Sequence, residues 1–345
     1  MSFFNYFYPK VKLFFQILLL VITFFAVVFV VFLLWTKYAV HKEMSSKEED
    51  TINFATIQSF PIGVDPKQKT ITEDPMFSSY LESHLLVTNT IKQRQERFFD
   101  RLVAKLSQSN IYQQLASPRS RILVIYPGER KEEIAKNFGD ILRWNLEERQ
   151  QFINDVSKTE PLIEDGKFFP GRYVVDSKIT PTETAFLVKE RFTTEILNKY
   201  NEDISAKVPL NDALVIASLL EREAYDFSDM RLISGIIWNR LFIDMPLQLD
   251  ATLQYARGSK SNETKWWPTP KPADKFLNSA YNTYKNTGLP PTPIANPSVE
   301  AVVATLNPEA TNCMFYFHDK KGVFHCTETY QDHIALLKKI YGQGR

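Results

Sequence analysis

From Leu13 to Thr36 the chain carries no charged side chain, and Gln16 is its only strongly polar one. A helix of roughly two dozen residues spans about 36 Å at ~1.5 Å per residue, enough to cross a ~30 Å hydrocarbon core with some tilt. Phe14, Phe15, Trp35 and Tyr38 lie at its two edges, where aromatic rings anchor a span at the interface. A cleaved secretory leader fits less well. The run exceeds a signal-peptide core, and Trp35-Thr36-Lys37 follows it where a small-x-small cleavage site would stand. Lys10, Lys12 and the amino terminus favour a cytoplasmic N-terminus. Lys37, Lys42 and Lys47 oppose it and are partly offset by Glu43, Glu48, Glu49 and Asp50. The expected arrangement is single-pass: a cytoplasmic tail over residues 1–12, a transmembrane helix over 13–36 in the inner cell membrane, and the bulk of the chain outside, in the periplasmic or extracytoplasmic space.

The remainder, some nine-tenths of 345 residues, is long enough for one or two domains with buried cores. With 41 basic residues against 40 acidic ones, the net charge of +1 gives no basic face of the kind a nucleic-acid duplex requires. Cys313 and Cys326 are too few for a disulfide framework. They can pair only with each other, or remain free as small apolar strand residues.

Residues 37–120 read as a polar stalk or linker with helices. Ile91–Leu106 spaces Phe98, Phe99, Leu102, Val103 and Leu106 along one helix face, and Ala116-Ser-Pro-Arg-Ser120 reads as a linker. A small α+β subdomain is expected over 121–200. It opens with a buried strand, Arg121–Tyr126, which Pro127-Gly128 turns into a helix carrying Ile134, Ala135, Phe138 and Ile141. The chain is extended again near Phe168–Tyr173. Thr180-Pro181-Thr182-Glu183 then offers an N-cap, a proline at N1 and a capping-box glutamate for a helix reaching about Tyr200. A C-terminal α+β domain follows over 201–345. Asn211 can cap a helix whose run Ala213–Leu220 is apolar on every side and therefore buried on every side. Ser228 can cap the next helix. A hairpin over Met314–His318 and Val323–Cys326, and a last helix from about Thr329 to Tyr341, complete the chain.

The apolar helix ends in Glu221-Arg222-Glu223. Burial disfavours a carboxylate's charge and raises its pKa towards neutrality, and a protonated carboxylic acid is what glycosidic cleavage requires at the leaving oxygen. Carboxylates at a helix C-terminus also oppose the macrodipole. The two glutamates lie about 200° apart around a helix, so periodicity does not choose between them. Arg222, Arg231 and Arg240 are available to neutralise either one. Gln248, Asp250, Thr252, Tyr281, Asn282 and Tyr284 form a polar and aromatic set in proline-rich chain. Such a set suits a carbohydrate site, and it equally suits turn chemistry with the tyrosines in a core. The histidines (His41, His84, His318, His325, His333) show no zinc-ligand spacing, and no phosphate loop or nucleophile elbow is present; no metal or cofactor is expected.

Ile216-Ala-Ser-Leu-Leu-Glu-Arg-Glu-Ala224 resembles the active-site helix of the endolytic murein transglycosylases, the MltG or YceG-like family. Further family pieces follow in order: Asn239-Arg-Leu, Met245–Tyr255, Tyr281-Asn-Thr-Tyr284, Gly288–Pro297, and Thr329 with His333. Tyr126-Pro-Gly128 and Phe169–Tyr173 are similar to the family's earlier segment, so the resemblance covers roughly residues 121–345. It implies that Glu223 is the catalytic acid/base. It also implies that Glu221, Gln248, Asp250, Thr252, Tyr281, Asn282 and Tyr284 line the glycan cleft. The implied reaction cuts MurNAc–GlcNAc bonds inside glycan strands to 1,6-anhydroMurNAc ends and terminates nascent strands, with peptidoglycan synthases as expected neighbours. The chain departs from the family at Gly171-Arg172, Cys326 and Ile334, and residues 50–118 lack the pattern of the LysM-like module that commonly follows the anchor. A hydrolytic muramidase would need a second carboxylate, Asp250 or Asp226, facing Glu223. A catalytically silent glycan-binding scaffold is the alternative of a different class.

Overall fold

The computed structural model describes residues 58–73, 120–258 and 265–342, with Leu20 and Thr23 besides. Except for Leu20 and Thr23, the expected tail and transmembrane helix lie outside these residues, as do the helix over 91–106, His41 and His84. Among the described residues no helix is long and apolar enough to cross a membrane. Apart from Leu20 and Thr23, all of them fall in one compact unit.

The fold is α+β, as the alternation of patterns predicts, with small two-stranded sheets. β3 (Ser120–Ile125) pairs antiparallel with β4 (Gly171–Asp176), placing Leu123 opposite Tyr173. Alternation sends Leu123, Ile125, Tyr173 and Val175 inward, while Val174 on the other face is 65% exposed. Helices α1 (Lys131–Leu142), α2 (Leu146–Ser157) and α3 (Pro181–Glu195) contribute Ile134, Phe138, Phe152, Ala185 and Val188 to the same core. Their starts are set locally. Asn145 and Glu148 exchange capping-box hydrogen bonds at 2.9 and 2.8 Å, and Thr180 and Glu183 do the same at the start of α3. The α3 helix stops at Glu195, and Leu197–Lys199 continues it as a 3-10 turn.

After a short α4 (Glu202–Lys207), α5 (Leu210–Glu223) forms the centre of the second half. Every residue from Ala213 to Leu220 is fully buried, as an all-apolar run requires. Pro209, not Asn211, stands at its N-cap. It packs on α6 (Phe227–Phe242), α7 (Asp250–Gly258) and α8 (Val299–Leu306). The α6 cap is Asp226, whose carboxylate accepts from Asp229 N at 3.0 Å, rather than Ser228; the stronger acceptor takes the cap. At Gly128 (φ 82) the turn after β3 hydrogen-bonds to Asn296 O at 2.9 Å, joining the first half to the segment before α8.

The C-terminal hairpin pairs β5 (Phe315–His318) with β6 (Phe324–Thr327), Tyr316 lying opposite Cys326, and α9 (Tyr330–Tyr341) covers one side. Cys313 and Cys326 are disulfide-bonded. Part of the expected stalk belongs to this same body. Val64–Asp65 (β1) and Thr70–Ile71 (β2) form a small hairpin, with Gly63 N donating to Leu306 O and Asn307 Nδ2 to Pro61 O. Strands of two residues are too short to leave an alternation in the sequence.

Candidate active site

Helix α5 delivers both glutamates, and they diverge as their spacing requires. Glu221 turns towards α8: its Oε1 accepts from Ser298 N at 2.8 Å and from Ser298 Oγ at 2.5 Å. Since Ser298 is the N-cap of α8, this carboxylate sits over that helix's free N–H groups, where negative charge is favoured. Desolvation still dominates and pushes its pKa up to about 7, against the two Ser298 hydrogen bonds.

Glu223, in the last position of α5, turns the other way, to the C-terminal hairpin. Tyr316 Oη donates to its Oε2 at 3.0 Å. Burial raises the Glu223 pKa and the nearby Asp250 charge adds to the rise, while hydrogen bonds from Tyr316 and the Ala251 backbone N–H, and the nearby His318, oppose it. The side chain nonetheless remains partly accessible. The three arginines that the sequence offers as partners hydrogen-bond or stack on other groups, although the charges of Arg222 and Arg240 still act on Glu223. The Arg222 guanidinium lies 3.9 Å over the Trp267 ring, Arg231 Nε donates to Asn307 O at 3.0 Å, and Arg240 Nε donates to Met314 O at 2.8 Å.

Asp250 opens α7 with its carboxylate exposed, and Tyr284 Oη donates to its Oδ1 at 2.7 Å. Two threonines stitch this pair together. Leu249 N donates to Thr283 Oγ1 at 3.0 Å, and Thr283 Oγ1 meets Thr252 Oγ1 at 2.9 Å. Gln248 is held in a left-handed backbone conformation (φ 52), with its N–H on Thr283 O and its side chain exposed. Such strain in a non-glycine residue persists only where the surroundings enforce it.

The structure thus gathers Glu223, Asp250, Tyr284 and Gln248 around neighbouring loops. Of the other residues expected to line the cleft, two are buried and Tyr281 is half-buried. Thr252 is fully buried and bonds Leu249 O; Asn282, also fully buried, donates to Lys275 O and Leu277 O and braces its turn. Tyr281 bonds Thr292 through its hydroxyl and packs on Tyr255, centroids 4.7 Å apart. For Thr252 and Asn282 the bonds made are those of turn and core chemistry.

Two features escape sequence reasoning. One is Tyr316, whose face of the hairpin it shares with His318; His318 Nε2 lies 2.8 Å from Asp229 Oδ2, and its ring meets the exposed Tyr225 edge-on. Alternation pairs Tyr316 with His318 but does not say which face meets α5. The other is the role of Arg240, which is 6% exposed. It grips Met314 O and Leu247 O, tying the entry of β5 to the loop before Asp250. Among the described residues no cluster of His, Cys, Asp and Glu could hold a metal ion. What remains is a carboxyl group with a pKa raised by burial, beside a second carboxylate and two phenols, an arrangement suited to general acid/base work.

The YceG-like family profile matches residues 68–339. An endolytic murein transglycosylase of Bacillus subtilis (strain 168) is 32% identical over 176 residues, covering 51% of this chain and 47% of that protein. An endolytic murein transglycosylase of Streptococcus pneumoniae serotype 2 (strain D39 / NCTC 7466) is 31% identical over 173 residues, 49% of this chain and 31% of that one. The chain therefore spans about half or less of the length of the curated relatives it matches. A crystal structure of a yceG-like protein from Listeria monocytogenes aligns with a TM-score of 0.55 at 20% identity, covering 81% of this chain and 97% of that one, and shares its fold.

Proposed function

The chain belongs to the YceG-like family, and from that premise we propose that it is an endolytic lytic transglycosylase of peptidoglycan with Glu223 as its acid/base. The observation that carries this reading is the placement of Glu223: a partly accessible carboxyl at the end of a wholly buried helix, hydrogen-bonded by Tyr316 Oη, with a pKa that burial raises. In the proposed reaction Glu223 gives its proton to the oxygen linking MurNAc to GlcNAc, and the C1–O bond breaks. The C6 hydroxyl of the same MurNAc then attacks C1 and returns its proton to the Glu223 carboxylate, closing a 1,6-anhydro ring. No water is consumed, and the acid is restored. Because the nucleophile is already part of the substrate, no second carboxylate has to activate water. In this reading Asp250, exposed and hydrogen-bonded by Tyr284, favours the positive charge that develops at C1; the bond from Tyr284 supports it.

We further propose that residues 13–36 anchor the chain with its C-terminal bulk extracytoplasmic, where the glycan strands and their synthases lie, and that residues 201–345 carry the catalysis. The uncharged run from Leu13 supports the anchor. A reporter that is active only outside the cytoplasm, fused after Arg345, tests the orientation.

Digestion of uncrosslinked glycan strands with wild type and Glu223→Gln in parallel, with products weighed by mass spectrometry, tests the chemistry. Anhydro ends from the wild type alone support the proposal. The second carboxylate at Asp250 favours one competitor, a hydrolytic muramidase, and water-added reducing ends would establish that instead. Strand capture without any product would leave a binding scaffold.

A further inference from the structure

Glu223 receives a hydrogen bond on Oε2 from a residue of the far C-terminal hairpin, and the donor is a phenol with one proton to give. A carbonyl oxygen accepts more strongly than an acid's hydroxyl, so in the neutral acid this bond favours the proton on the other oxygen, Oε1; the Ala251 backbone N–H is a second donor to the same carboxyl. We propose that Tyr316 is a positioning residue for the acid: it favours the reactive proton on Glu223 Oε1 and steadies the carboxylate once that proton has gone. This rests on the reading of Glu223 given above.

The geometry fixes the phenol without help from the substrate. Its ring stacks on Phe324 with centroids 5.6 Å apart and planes 13° apart. Its backbone lies opposite Cys326, which is disulfide-bonded to Cys313, and Arg240 holds the preceding Met314 carbonyl. Burial and the Glu223 charge keep the phenol protonated, so it remains a donor throughout. The groups facing Glu223 from the packed elements are Asp250 of α7, His318 of β5, Arg240 of α6 and Tyr284. Of these, Asp250 favours the protonated form, and His318 and Arg240 favour the carboxylate. The Tyr316 bond becomes charge-assisted, hence shorter and roughly twice as strong, only as Glu223 loses its proton. Its benefit therefore falls on the transition state and on kcat rather than on binding.

The test is the pH profile of kcat on uncrosslinked glycan strands. Its alkaline limb reports loss of the acid's proton. Tyr316→Phe keeps the ring and removes the donor. It should lower kcat about tenfold, leave KM within about twofold, and move the alkaline limb up by about one unit. Fluorotyrosine placed at position 316 is a stronger donor in the same shape and should move the limb down, which decides the matter even if Tyr316→Phe folds poorly. A limb that stays at its wild-type position in the fluorotyrosine protein overturns the proposal. Glu223→Gln, run alongside, separates the two levels. If it remains active, the acid assignment itself falls; if it is inactive while the limb does not move, only the role of Tyr316 falls.

Discussion

Helix α5 ends between two regions held together in unlike ways. On one side α6 and α8 close over it: Leu214, Ile216, Leu219, Leu220, Ile233, Val302 and Val303 are all fully buried, and Glu221 reaches across to the cap of α8. On the other side stand β5, β6 and α9, where every strand residue is only half-buried and no helix residue is fully so. That layer is placed by discrete links instead, namely the Arg240 bonds to Met314 O and Leu247 O, the Cys313–Cys326 disulfide, and rings such as Phe317 packed against His333. Close packing resists any change of shape, whereas a layer set by a few links can adjust. The helix thus presents Glu223 from a rigid base to a wall that contributes orientation more than stability.

The sharpest way to break this contrast uses the two glutamates themselves. Glu223→Gln should lower glycan-strand cleavage by between about a hundredfold and ten-thousandfold, the range for removal of a general acid. Glu221→Gln should leave cleavage within about twofold, because the amide oxygen can still accept from Ser298. Rates on strands, with circular dichroism to check the fold, measure both. The reverse order would mean that the core-facing carboxylate is the acid.

Packing gives the next largest effect. Leu219→Ala removes a fully buried side chain and should cost about 3 kcal/mol in denaturant unfolding. Phe324→Ala, in the half-buried hairpin, should cost about 1 kcal/mol yet reduce cleavage more, since Tyr316 stacks on that ring. Equal stability costs would show that the hairpin is as closely packed as the core.

How much of this contrast the sequence discloses follows from the range of each interaction. The buried run Ala213–Leu220, the capping box at Thr180 and Glu183, and the hairpin near Gly322 are set by neighbours in sequence, and all three are legible. The choice between Glu221 and Glu223 is not, because either can face inward on an isolated helix, and only the resemblance to a family separates them. The Tyr316–Glu223 bond joins residues far apart in the chain, and no local pattern encodes it. Thr252 and Asn282 mislead for a different reason. Polar residues in proline-rich chain serve a ligand or their own turn equally well, and here they bond Leu249 O, Lys275 O and Leu277 O.

Replacing both cysteines by serine tests the discrete links directly. The bridge closes a loop with a sequence separation of 13, and its removal should cost about 2 kcal/mol. The loss should be local. Amide hydrogen exchange should quicken in Phe315–Thr327 while amides of Ala213–Leu220 keep their protection. A uniform loss of protection in both regions would show that hairpin and core open as one unit.

The last effect lies in how Glu221 couples pH to stability. Its carboxyl holds a proton up to about pH 7 in the folded chain, against 4.5 for an unburied glutamate. Between those values the folded state binds more protons than the unfolded one, so stability falls as pH rises through this window and levels off above it. Glu221→Gln accepts the same Ser298 hydrogen bonds and carries no charge at any pH, so its unfolding free energy should fall less steeply from pH 4.5 to 7. Some slope should persist, because buried Asp165 is also raised to about 7 by desolvation and remains in the variant. Urea unfolding at pH 5 and pH 8 measures the difference. If the two proteins respond alike, the Glu221 proton is shed as easily as in water, and the core side of the helix end is wetter than its packing requires.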